Sequence, residues 1–334
     1  MDLPRPLRDT HALAALGIAL ALAGAVAWGV DRFVGWGSVW ATARDVPGRT
    51  WAAFVVLLAV SYAARALRLW RLLHDLDARA RLSRAAPVFF VHNALASFLP
   101  ARLGEAAMPL LARRWVGIDW AATLGALAWW RLSDLAIVAA LALTLLAAGA
   151  TVLAPLFAFA IGACALPFVA FALRAPLLTR LEPAPGVIAG RVRKLLARVI
   201  SGMPARPTAL AADLALALTS WCAKVSAFTL LIEGVLARSG AAVPSAPLLA
   251  AAALAGDTAG ALPMPTLGGV GPFEAGIVAG LSALDVNAAH ALAIAVLLHG
   301  AVLASIAGTG AIGLAVGLFN ERTHGARTRA AARP

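Results

Sequence analysis

The sequence predicts an all-α polytopic membrane protein, with six full spans and two opposed re-entrant helical hairpins in an inverted repeat. Three observations predict it. Of 334 residues, 62% are hydrophobic and only 13% charged, with a mean hydropathy of +0.86. No soluble domain can bury so much apolar side chain, so lipid must solvate most of the chain. The apolar runs are rich in Ala and Leu, which favours helices over strands, and no ten-residue alternation supports a barrel. Two further apolar stretches are interrupted by Pro, Gly and charge.

The full spans are runs of about 20 apolar residues. They fall near 12–30, 50–67, 121–145, 152–173, 209–236 and 290–318. The first follows Arg5 and Arg8 and has some signal-peptide character, but its length favours a span. The broken stretches are 86–111 and 247–281. Trp36, Trp40, Trp51 and Trp115 lie near span ends, where indoles favour the membrane interface. No polar block is long enough for a second domain, so residues 1–334 read as one transmembrane domain ending in a basic tail, 321–334.

Charge placement sets the orientation. The net charge of +12 is distributed in short clusters between apolar runs. That is the positive-inside pattern and points to no nucleic-acid partner. Residues 65–84 carry Arg65, Arg68, Arg71, Arg79, Arg81 and Arg84; 174–206 carry a second basic cluster, and the C-terminus a third. Arg113 and Arg114 follow the first broken stretch. All these read as cytoplasmic, and so do both termini, which fits a bacterial inner membrane. Loops 31–49 and 237–246 read as external.

This orientation constrains the broken stretches. Both 65–84 and 113–114 are cytoplasmic on charge, so 86–111 must enter and leave on one side. It reads as a re-entrant hairpin turning at Pro100 and Gly104. Stretch 247–281 reads as a second hairpin entered from the other face, turning at Pro263, Gly268, Gly269 and Gly271. The alternative is ordinary kinked spans. The order is then span, span, hairpin, span, repeated over about 10–148 and 150–320. Each half crosses three times, so the halves are inverted, an architecture found in transporters.

Broken backbone in a membrane is tolerated only against protein or a water-filled cavity. Charges embedded there cost about 2.5–3.5 kcal/mol each on insertion scales and are usually functional. Here they are Arg102, Glu105, Arg131, Asp134, Asp213, Lys224, Asp257 and Glu274. Arg131 and Asp134 are three apart on one helix face, which suits either an internal ion pair or a polar cavity. Lys224 needs a partner from another helix, for which Asp257 or Glu274 is a candidate. Asp213 reads as a carboxylate near the membrane surface. His299 reads as a hydrogen-bonded structural residue. Cys164 and Cys222 lack metal-ligand spacing, and no metal site, cofactor motif or catalytic triad stands out.

At these residues the chain resembles a known family. "RALRLWRLL" (65–73), "NALASFLPARLGE" (93–105), "RLSD" (131–134) and "LPMPTLGGVGPFEA" (262–275) resemble the transmembrane domain of lysylphosphatidylglycerol synthase-flippases and their stand-alone relatives, including hopanoid-associated ones. The resemblance covers about 10–320. It implies handling of a membrane lipid: a phospholipid, a polyprenyl-linked sugar or a hopanoid. The family pattern falls on Asn93, Pro100, Arg102, Gly104, Glu105, Arg131, Asp134, Pro263, Gly268, Gly269, Gly271 and Glu274. Two positions depart from it: Met108 stands where a basic residue is common, and Leu267 where proline is. No soluble aminoacyl-transferase domain is expected, and no enzyme activity.

The expected function is translocation of a lipid or lipid-linked headgroup through a midplane polar cavity. Asn93, Arg102, Glu105, Arg131, Asp134, Lys224, Asp257 and Glu274 are the expected substrate-binding residues. A non-transporting scaffold, an embedded lipid enzyme and a small-solute transporter are the rival readings. The topology has a direct test. Cysteine-accessibility labelling should place 40–46 outside and 76–82, 113–114 and 185–195 inside. Opposite sides for 76–82 and 113–114 would exclude the first hairpin.

Overall fold

Ala- and Leu-rich runs satisfy their own backbone hydrogen bonds as helices, which is what a hydrocarbon solvent requires. A computed structural model of the chain describes residues 24–147, 154–180, 187–239, 242–262, 264 and 266–331, excluding the side chains of 100–102, 146–147, 154–159, 178–180, 187–189 and 324–331. The described residues form helices and turns, with no strand among them. Most of the expected span 12–30 lies outside the described residues. So do Pro263 and the side chains of Pro100 and Arg102.

The helices are α1 (24–33), α2 (Trp36–Asp45), α3 (Gly48–Leu76), α4 (Leu82–Phe98), α5 (Ala107–Leu111), α6 (Trp120–Ala147), α7 (Ala154–Arg180), α8 (Val187–Ser201), α9 (Pro207–Leu236), α10 (Ala246–Gly260), α11 (Pro272–Ser282) and α12 (Ala288–Ala331). Five of these contain segments long and apolar enough to cross a membrane: Gly48–Leu76, Trp120–Leu145, Ala160–Leu177, Pro207–Leu236 and Ala288–Thr323. Their outward faces are apolar as well, with Ile161 51% and Phe319 66% exposed. Such surfaces suit lipid rather than water.

α2 and α8 fall where sequence reading expects only loops. α8 is amphipathic: Arg191, Arg193, Lys194 and Arg198 interleave with Val192, Leu195, Leu196, Val199 and Ile200. Two glycines let it approach α6 closely. A Cβ at Gly125 would overlap the Val199 carbonyl, and one at Gly202 the Ala122 carbonyl.

Both broken stretches are broken helices. The first leaves α4 after Phe98, runs as a 3-10 helix over Pro100–Ala106, and continues through α5 into a π-helix, Ala112–Val116. Seven residues of 3-10 helix are unusual, because the geometry of its hydrogen bonds is poor. The segment folds back on α4, since a Cβ at Gly104 would overlap the Leu95 carbonyl. The second stretch is an antiparallel helical hairpin. Gly256 on α10 meets Ile277 on α11, Gly260 meets Phe273, and Gly280 meets Ala252. The turn between them uses three glycines at positive φ, Gly268 (65°), Gly269 (81°) and Gly271 (97°). A side chain there would be strained.

The contacts divide the chain into two units. One takes its described residues from Met1–Leu58, Asn93–Glu105 and Val225–Ala307, the other from Ala59–His92, Ala106–Lys224 and Gly308–Pro334. Both broken tips thus belong to the first unit.

The packing of the hairpin can be tested by paired substitutions. A Cβ at Gly276 would sit 2.7 Å from the Ala255 carbonyl oxygen and 2.8 Å from Gly256 Cα, whereas one at Gly162 meets nothing within 4 Å. Gly276→Ala should destabilise by about 1–3 kcal/mol, as overpacking does. Gly162→Ala should be neutral or stabilise by up to about 1 kcal/mol, from helix propensity. Thermal melting in detergent separates them, and equal melting temperatures would argue against the α10–α11 contact.

Candidate functional site

In the first unit the site is built around the backbone of one residue, Gly268. Over residues 266–271 the turn between α10 and α11 has left helical geometry, so its amides need partners elsewhere. Gly268 N–H donates to the Ser97 carbonyl, 2.8 Å away on the first broken tip. The Gly268 carbonyl lies 2.9 Å from His299 Nε2 on α12. His299 Nδ1 is 2.6 Å from Glu274 Oε1, and Glu274 Oε2 accepts the Gly271 N–H at 2.7 Å. Glu274 stands at the third position of α11 and so caps that helix, while Pro272 opens it without wasting an N–H. The imidazole stacks on Phe273, with ring centroids 4.2 Å apart. Glu274 and His299 are both buried, 5% and 4% exposed.

Between the tips lies a cavity of about 90 Å³. It is lined by Ala96, Ser97, Leu99, Gly260, Leu262, Met264, Thr266, Gly268 and Gly269. The same unit holds a larger apolar groove of about 810 Å³, with Trp36, Trp40, Trp51, Leu297 and Ala301 in its walls and Arg44 at its edge. Trp51 Nε1 donates to the Ala43 carbonyl at 3.2 Å, which ties the start of α3 to α2.

In the second unit the centre is Arg68, fully buried on α3. Its Nε donates to Asp213 Oδ1 at 2.7 Å, and Nη1 to Asp134 Oδ1 at 2.5 Å. Nη2 donates to Ser133 Oγ and, at 3.2 Å, to Asp213 Oδ2. Both carboxylates also accept from indoles. Trp129 Nε1 donates to Asp213 Oδ2 at 2.9 Å, and Trp130 Nε1 to Asp134 Oδ2 at 3.0 Å. The guanidinium lies 5.0 Å from the centroid of the Trp130 ring, which stacks on Phe89. One arginine thereby ties α3, α6 and α9 together through saturated, charge-assisted bonds.

The expected site residues divide between the units. Asn93, Glu105 and Asp257 are half-buried in the first unit, Gly104 and Glu274 buried there. Arg131, Asp134 and Lys224 belong to the second. Asp134 pairs with Arg68, while Arg131 is exposed and acts on Asp134 through its charge. Lys224 Nζ is 5.3 Å from the Trp221 ring, and Arg65 lies 5.2 Å from the same ring. Asp213 is not at the surface: it is 4% exposed and bonded to Arg68.

Sequence reading ends the span at 67 and assigns Arg68 to a cytoplasmic cluster, and so misses it. A signal existed. Phe54, Leu58, Ser61, Arg65, Arg68 and Leu72 follow alternating steps of four and three, a single helix face. Continuing that face would have placed Arg68 indoors.

A helical chain with several membrane-length segments, two broken helices and buried charge is a multi-pass membrane protein. It belongs to a specific family: residues 13–310 match the lysylphosphatidylglycerol synthase TM region. This family gives the chain a membrane lipid-related role. No curated protein and no solved structure matches it.

The Arg68 cluster makes a clear prediction. Arg68→Met strands two buried carboxylates and should cost about 3–5 kcal/mol. Arg68→Met combined with Asp134→Asn and Asp213→Asn removes all three charges yet leaves acceptors for both indoles. That triple variant should recover at least half the loss in a detergent melting assay.

Proposed function

We propose that this protein translocates a lipid headgroup across the bacterial inner membrane, with both termini cytoplasmic and the two broken segments meeting near the bilayer middle as an inverted pair. The observation that carries this reading is the contact between those segments, Gly268 N–H to Ser97 O at 2.8 Å. The polar cavity of about 90 Å³ beside it is small. It has the volume of about three water molecules, so a headgroup passes only when the tips part. Asn93, Arg102 and Glu105 on the first segment, with Asp257 and Glu274 on the second, then meet the headgroup. Arg102 takes its anionic oxygens. Asp134, held by Arg68, orients Arg131 rather than contacting lipid. The Trp-lined groove offers acyl chains an apolar path beside the polar one.

The test is reconstitution into liposomes carrying a trace of headgroup-labelled phosphatidylglycerol, with chemical quenching of outward-facing label. The protein should carry label between leaflets. Arg102→Gln should slow that movement about tenfold, the factor for roughly 1.4 kcal/mol of lost headgroup binding, with an unchanged melting temperature. A wild-type protein that moves neither phosphatidylglycerol nor any lipid found by native mass spectrometry to co-purify with it would overturn the reading.

A further inference from the structure

The contacts around His299 leave one hydrogen position to be filled. The Gly268 carbonyl can only accept, so Nε2 carries a hydrogen. Glu274 Oε2 accepts the Gly271 N–H and needs no proton. Between Nδ1 and Oε1, 2.6 Å apart, two lone pairs would face each other unless a proton lies between them. With the proton on nitrogen the pair is imidazolium and carboxylate; with it on oxygen, imidazole and carboxylic acid. Either form is net neutral, which is what a dry site tolerates.

We infer that Glu274 and His299 form a binding site for a single proton, and that this proton fastens the 266–271 turn against the first broken tip. The inference deepens the translocation reading, since the fastened turn is the proposed gate. Removing the proton leaves a bare negative charge on two groups only 5% and 4% exposed and a lone-pair clash. The imidazole relieves that clash by leaving its place, which also frees the Gly268 carbonyl. Gly268 is also the residue whose N–H holds Ser97, so one proton bears on the two peptide groups that flank Gly268. Leu303, one turn along α12 from His299, lies against Gly268, so the same helix face carries the fastening residue and its stop.

Other titratable and charged groups belong to the elements around the pair. α10, packed on α11, carries Asp257; the first tip carries Glu105 and Arg102. α9, whose Phe228 meets Phe273 edge-on, carries Lys224 and Glu233. α12 has no other charged group between residues 291 and 320.

The test reads the turn, not lipid movement, so it stands or falls independently of the translocation reading. Cys164 and Cys222 are replaced, and Thr266, which lines the cavity and is buried, is changed by Thr266→Cys. Thiol labelling is then followed between about pH 5 and about pH 9 in detergent, normalised to the unfolded protein at each pH. Labelling should rise with pH by about tenfold, the factor one charge-assisted hydrogen bond contributes to an opening equilibrium. Glu274→Gln should hold labelling low throughout, because its amide can donate to Nδ1 and accept from Gly271 without losing a proton. His299→Phe, which keeps the stacking and loses both bonds, should label strongly at every pH. Flat labelling in the parent protein, or a Glu274→Gln variant that keeps the parent's pH dependence, would overturn the inference.

Discussion

Buried backbone that leaves helical geometry must find its hydrogen bonds elsewhere, and this requirement governs the first unit. The 266–271 turn draws on four partners. Gly268 N–H uses the Ser97 carbonyl, and its carbonyl uses His299. Gly271 N–H uses a side-chain carboxylate, and the Phe273 amide turns back to the Gly269 carbonyl at 3.0 Å. Only the first of these bonds reaches the first tip; the other three hold the turn to α11, α12 and itself. The glycines follow from the same constraint, since bends at positive φ at 268, 269 and 271 bring the peptide groups to those partners. The close α10–α11 packing keeps the ends of the turn together, so little backbone is left to order.

The acidic and basic members of the site segregate. In the first unit, Arg102 accompanies Glu105, Asp257 and Glu274; in the second, Arg65, Arg68, Arg131 and Lys224 accompany Asp134 and Asp213. Carboxylates therefore predominate around the turn, and cations around the Arg68 cluster. The cluster keeps its two carboxylates fully occupied, with every oxygen accepting from an arginine or an indole. Its fixed geometry gives the neighbouring cations a rigid base. Burial of Arg68 is tolerable because its donors find acceptors in a fork geometry, and removing either aspartate would expose the desolvation cost.

Much of this was legible in the sequence. Pro100 and Gly104, and the glycines at 268, 269 and 271, mark the breaks where helices do break. The spans at 121–145 and 209–236 fall within a few residues of α6 and α9. Pairing was not legible. Asp134 has Arg131 three residues away, yet bonds to Arg68, 66 residues earlier. His299 finds Glu274 across 25 residues and Gly268 across 31. Such contacts depend on helix rotation, which composition does not set. The charge rule also misled at one point: it treats arginine as a marker of water, whereas Arg68 is enclosed by Trp130, Ser133 and two carboxylates. α2 and α8 were hidden for a related reason. Their charges made them look like loops, although their apolar residues recur on one helix face.

Both buried clusters join carboxylate to cation, and the difference between them lies in the cation. Arginine keeps its proton throughout the range in which a protein functions. A carboxylate bonded to Arg68 therefore has a partner whose charge does not change, and the three helices it ties stay tied. Imidazole gains and loses a proton in the physiological range, and a carboxylate beside it can share that proton or lose it. The Glu274–His299 pair spans a turn rather than three long helices, so its release costs only the few bonds gathered at Gly268 and Gly271. An arginine at 299 would hold the turn permanently, and a histidine at 68 would make the helix bundle itself pH-sensitive. Arg68 thus puts a constant cation where α3, α6 and α9 join, and the proposed proton site puts a variable one where the two broken segments meet.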